Sequence, residues 1–103
     1  MINYERAMEI LKNRIEMAEK WPDMDAPDEW WEEMPKILSR NQKETEKFLE
    51  ERTSKELFFL GEIFEDIAYE FKTDSFIQFL WNLHKKHPKA ELEEDIKRAE
   101  EAI

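Results

Sequence analysis

The chain has 103 residues and a formal net charge of −10, from 26 acidic and 16 basic residues; charged and hydrophobic positions each make up 41 %. That length fits one small domain spanning residues 1–103, whose core must use most of its apolar residues; seven Phe and four Trp supply it and argue against disorder. The acidic balance excludes a protein that coats a phosphate backbone, which needs a basic face, and points to a cationic partner.

With no Val, three Thr and a single Gly, the residues that favour strands are nearly absent, so the expected fold is all-α. A first helix is predicted over Tyr4–Lys20 behind Asn3 as N-cap, with Tyr4, Ala7, Met8, Leu11, Ile15 and Ala18 on one stripe. Trp21-Pro22 ends it. After the connection 23–27, Pro27 fits the first turn of a second helix carrying Trp30, Trp31 and Met34, and Pro35 breaks or kinks that helix. Asn41 and Glu44 have the spacing of a capping pair for a helix bearing Phe48 and Leu49.

Thr53 and Glu56 repeat that signature and open the longest apolar helix, predicted over Ser54–Lys72 with Leu57, Leu60, Phe64, Ile67, Ala68 and Phe71 inward. Thr73-Asp74-Ser75 caps the next, which ends in Lys85-Lys86 before Pro88. A last helix over Ala90–Ala102 carries the narrow stripe Leu92, Ile96, Ala99 and Ile103, the mark of an outer helix. The sum is a compact bundle of five or six helices, partly orthogonal, without repeats or long linkers.

Several chemistries are missing. The absence of Cys removes thiolate nucleophiles and zinc–thiolate sites, and a lone Gly61, inside a helix, cannot make a phosphate loop; it fits a close helix crossing instead. His84 and His87 have a metal-like spacing, but Lys85 and Lys86 between them repel a cation, and favourable interaction with a helix C-terminus accounts for both His. Carboxylate pairs follow from composition alone, and neither His adjoins a Ser in a recognisable motif, so no enzyme, cofactor or metal is expected. Met1-Ile2-Asn3-Tyr4-Glu5-Arg6 does not read as a secretion signal, and no run of about 20 apolar residues is present, which suggests a cytoplasmic protein without a membrane partner.

The acids are unevenly placed. Glu16 to Met34 holds eight acids against Lys20, Glu56 to Asp74 holds six against Lys72, and Lys85, Lys86 and Lys89 make a basic end. On the Ser54–Lys72 helix, Phe58, Glu62, Glu65 and Tyr69 fall opposite the core, with Asp66 and Glu70 adjoining: aromatic anchors among carboxylates, as in a protein interface. Their alternative role is contact with a second helix layer. Of Trp30 and Trp31, which point about 100° apart on a helix, Trp31 aligns with Met34 and Leu38 for the core, leaving Trp30 either with Asp23, Asp25 and Glu29 as a second contact set or as a cover for the loop from Trp21 to Pro27.

The run Glu29-Trp30-Trp31, then Phe48-Leu49-Glu50-Glu51, then Glu56 through Ile67, followed by Ser75-Phe76-Ile77-Gln78-Phe79-Leu80 and a Lys86-His87-Pro88 turn, resembles small helical immunity proteins of bacterial polymorphic and contact-dependent inhibition toxin systems. The resemblance spans residues 29–103 in texture and spacing, without a diagnostic motif. It implies a cytoplasmic monomer that binds one cognate toxin domain 1:1, often a nuclease, through its cationic surface and makes no direct contact with nucleic acid. The alternatives are an acidic nucleic-acid mimic that inhibits a DNA- or RNA-binding protein, and a helical adaptor or oligomerisation domain.

Overall fold

Four of the seven helices begin where a side chain takes an unpaired backbone N–H of the first turn. In the computed structural model, which describes all 103 residues, Asn3 accepts the Arg6 N–H at 3.1 Å and opens α1 (Tyr4–Lys20). Pro27, in an extended conformation, stands just before α2 (Asp28–Leu38) and not in its first turn, and Asn41 accepts the Glu44 N–H at 3.0 Å to start α3 (Gln42–Glu50). The Glu44 side chain does not close a reciprocal box; it accepts the backbone N–H of Ile2 at 2.7 Å and ties down the N-terminal residues. Thr53 and Glu56 do form a full capping box for α4 (Ser54–Leu60). A 3-10 turn (Gly61–Ile63) leads to α5 (Phe64–Phe71), Thr73 caps α6 (Asp74–Lys86), and a second 3-10 turn (Pro88–Ala90) precedes α7 (Glu93–Glu101). With α4 and α5 taken as one interrupted helix, the bundle has six.

Three expectations need correction. Pro35 sits inside α2 without ending it: it withholds one N–H from the Trp31 carbonyl, while burial of Trp30, Met34, Ile37 and Leu38 holds the helix together around it. The long helix over Ser54–Lys72 is broken at Gly61–Ile63, and α7 starts three residues later than Ala90, after the 3-10 turn. The break lies where α7 crosses. A Cβ built on Gly61 would press into the Asp95 carboxylate and stand 3.2 Å from Leu92 Cδ2, so the one glycine permits the close approach its place suggested.

The tryptophans are exchanged relative to expectation. Trp30 is fully buried and Trp31 is 46 % exposed. Trp30 is followed by Met34, Ile37 and Leu38 at the i+4, i+7 and i+8 positions of one complete helical stripe, whereas the row through Trp31 continues into Pro35 and Ser39. On α1, similarly, Ile10 joins Ala7 and Leu11 in the core while Tyr4 stays half exposed.

Twenty-four buried apolar residues drawn from every helix form one continuous core. α5 is its hub, packed most extensively on α7 and also against α2 and α6, while α1 covers α2 and α4. Arg6 adds a two-pronged clasp from α1 to Glu33 of α2, at 2.7 and 2.8 Å, which holds the Glu33 carboxyl below its ordinary value. The molecule measures 36 × 29 × 24 Å, and no helix is long and apolar enough to cross a membrane.

The close approach of α7 to the Gly61 turn can be tested by a double-mutant cycle. Gly61 has ordinary right-handed helical angles, so Ala there gains up to about 1 kcal/mol of helix propensity but collides with Asp95. Gly61→Ala should therefore lower stability to chemical denaturation in the native background and raise it in an Asp95→Ala background; the same sign in both backgrounds would refute the steric account.

Candidate functional site

The break at Gly61 decides what Glu62 does. A 3-10 turn advances about 120° per residue where an α-helix advances about 100°, so three such residues rotate α5 by about 60° relative to an unbroken helix. Phe58 and Tyr69, aligned on a continuous helix, belong here to two separate helices, and of the two only Tyr69 lines a pocket. Phe58 lies half exposed and edge-on to Phe59, and Glu62 faces α1 and α2 instead of a partner. Its carboxylate accepts the Trp30 indole N–H at 3.1 Å and the Arg14 guanidinium at 3.0 Å, while that guanidinium lies 5.9 Å from the Trp30 ring centroid and 5.2 Å from that of Phe59. Arg14 is largely buried, with a side chain 13 % exposed. Glu62, proposed from sequence as a contact, is engaged in tying α1 and α2 to the turn, with its side chain still 34 % exposed.

What remains of the predicted aromatic and acidic set meets α2. Between α2 and α5 runs a groove of about 690 Å³. The α2 wall presents two rows at helical spacing, Trp31–Pro35–Ser39 and Glu32–Lys36–Arg40; the α5 wall presents Asp66, Tyr69 and Glu70. Tyr69 is 55 % exposed. None of the groove's five charged residues enters an ion pair or side-chain hydrogen bond, although nine such ion pairs form elsewhere. Asp66 is pushed above its ordinary value, first by desolvation against the wall and then by neighbouring Glu65. At the end of α5, Lys72 places its ammonium 4.8 Å from the centroid of the Tyr69 ring.

The predicted residues thus divide. Asp66, Tyr69 and Glu70 come together; Glu65 is exposed on the same helix but outside the groove, and Phe58 lies apart. Trp30 is buried, so it offers no contact, and Asp23, Asp25 and Glu29 stay exposed on the α1–α2 connection and the start of α2, away from the groove. Sequence reasoning missed Trp31, Glu32, Lys36 and Arg40. The signal was available in the i, i+4, i+8 row 32–36–40, which is charged throughout and lies on the far side of the helix from the apolar stripe through Trp30. Lys36 and Arg40 also make the groove mixed in sign, where the segment sums suggested acid alone.

Other polar groupings carry less. Ser54 Oγ and His87 Nδ1 lie 2.8 Å apart, a pairing the sequence did not suggest; neither lines a pocket, and no acid bonds the other ring nitrogen, so the pair joins the start of α4 to the end of α6. His84 stands edge-on to Trp81. No group of three or more His, Cys, Asp or Glu is placed to hold a metal ion. A second pocket of about 410 Å³ near the N-terminus is lined by Ile2, Tyr4 and Phe48, but its carboxylates are already used, Glu44 by the Ile2 N–H and Glu51 by the Tyr4 hydroxyl.

Stability measurements should separate the two roles. Glu62→Ala leaves a buried indole N–H and a buried guanidinium without an acceptor and should cost about 2 kcal/mol, whereas Trp31→Ala and Tyr69→Ala should each change stability by under about 0.5 kcal/mol. For Asp66 the raised value means that its charged form opposes folding, a penalty that grows as pH rises from the ordinary value of 3.8 through the raised one. Asp66→Asn should therefore raise the thermal midpoint by about 1–2 °C at neutral pH and leave it unchanged well below pH 3.8. Comparison with family models, curated proteins and solved structures finds no match, so the functional reading rests on this geometry.

Proposed function

We propose that the protein is an immunity protein: it binds a cognate cytotoxic domain, a nuclease by preference, in a 1:1 complex in the cytoplasm of the cell that makes both, and neutralises it by covering a cationic surface. One observation carries the reading. The α2–α5 groove gathers two exposed aromatic rings with Glu32, Asp66 and Glu70, all unpaired, on a molecule of net charge −10. Large rings at the centre of an interface supply buried anchors, and the surrounding charge speeds encounter with a basic cleft. A nuclease cleft is basic because it holds phosphates.

The mixed sign of the groove favours this over nucleic-acid mimicry. A mimic needs a continuous row of carboxylates in place of phosphates, and Lys36 and Arg40 interrupt it. A paired arrangement of both signs suits one partner and penalises others through like-charge contact.

Co-expression with the toxin domain encoded by the adjacent gene is the direct test. Protection with a 1:1 complex is expected, and Trp31→Ala or Tyr69→Ala should weaken binding about 30-fold, the effect of losing a central aromatic anchor of roughly 2 kcal/mol. Continued killing in the presence of equimolar soluble protein would remove the reading. Equal affinity for unrelated basic proteins would replace it with mimicry.

A further inference from the structure

We propose that the Asp66–Tyr69–Glu70 edge of the groove is a seat for an arginine or lysine side chain of the protein partner, and that Lys72 occupies the aromatic part of that seat in the free protein. For the partner's identity this rests on the inhibitory reading above; for the seat itself it rests on three observations. The Tyr69 ring already carries a cation, the Lys72 ammonium at 4.8 Å from its centroid. The two carboxylates one turn apart on the same helix, Asp66 and Glu70, have no counter-ion, and Lys72 bonds neither of them. Lys72 is the residue that ends α5 in the left-handed conformation, with φ 52°, a position that favours glycine because a Cβ crowds the backbone there.

Together these describe a seat that is half filled. An ammonium over an exposed ring gains little when no carboxylate completes its coordination, so Lys72 is easily displaced. An incoming guanidinium gains more, because its flat face stacks on the ring while its N–H groups, pointing outward in its own plane, are free to bond carboxylates beside the ring. The partner's cation also relieves Asp66, whose charge is disfavoured in the free protein.

The test uses the full chain and a capped hexa-arginine peptide, followed by amide chemical shifts during titration. Shifts should concentrate on residues 31–40 and 66–72. Lys72→Gly should tighten peptide binding about threefold, by removing the internal competitor, and should raise the thermal midpoint; Tyr69→Leu should weaken binding about threefold. Lys12→Gln, on exposed α1 surface outside the groove, matches the loss of one positive charge and should leave affinity unchanged. Shifts spread evenly over the acidic surface, an equal gain from Lys12→Gln, or weaker binding by Lys72→Gly would each overturn the seat. Because the peptide needs no toxin, the two proposals fail separately: protection that survives with a diffuse shift map removes the seat alone, and a focused map without protection keeps the seat and removes the toxin.

Discussion

The Arg14–Glu62–Trp30 cluster is the constraint on which the architecture depends. Trp30 fills the core as its largest fully buried side chain, and its indole N–H cannot be left without an acceptor. Arg14 packs over the same ring and needs a counter-charge. Glu62 satisfies both at once, from the middle of the 3-10 turn. That turn is possible beside α7 because residue 61 has no side chain to hold Asp95 and Leu92 away. One carboxylate therefore joins α1 to α2 and sets where α5 begins. The Asp66–Tyr69–Glu70 side of α5 then faces α2 across the groove, which α2 and α5 form by packing against each other.

Local signals in the sequence were read well for a physical reason. A cap is a contract between residues three apart, and Asn3, Asn41, Thr53 and Thr73 each meet it without help from the rest of the chain. What the sequence concealed was long-range. Nothing within Ser54–Lys72 says that α7 crosses at Gly61, so its period reads as one helix and places Phe58, Glu62 and Tyr69 on one stripe. The exchange of Trp30 and Trp31 has a different origin: both align with Met34 and Leu38, and only Ile37, seven residues after Trp30, and the charged row 32–36–40 separate them. The two acidic segments could be counted from sequence, but their meeting, through Glu32 on one side and Asp66 and Glu70 on the other, depends on α2 lying against α5.

The distribution of partners among the acids bears on function more than the net charge does. Glu33 and Glu62 receive the arginines of α1, Glu44 receives the N-terminal backbone, Glu56 closes a cap, and Asp95 pairs with Arg98. These carboxylates are engaged in holding the fold. Lys36 and Arg40, with Glu32, Asp66 and Glu70 in the same groove, remain unpaired. Unpaired charge beside exposed aromatic rings contributes nothing to folding and leaves every one of those groups available.

Asp66 sharpens that distinction because it does not merely fail to stabilise the fold. Desolvation by the groove wall and repulsion from Glu65 both act against its charged form. A polar uncharged residue at that position would suit the isolated domain better, and a glycine in place of Lys72 would suit the end of α5 better. Asp66 in the groove wall and Lys72 at the end of α5, beside Tyr69, are thus residues that the fold would do as well or better without. Both are charged and opposite in sign, and a cation arriving at Tyr69 would favour ionised Asp66 and release the Lys72 ammonium to solvent, leaving the left-handed backbone at Lys72 as it is. For Asp66, the local cost in the free domain and the gain from a bound cation would come from the same electrostatic interactions, so a charge that folding disfavours is one that the proposed contact would favour.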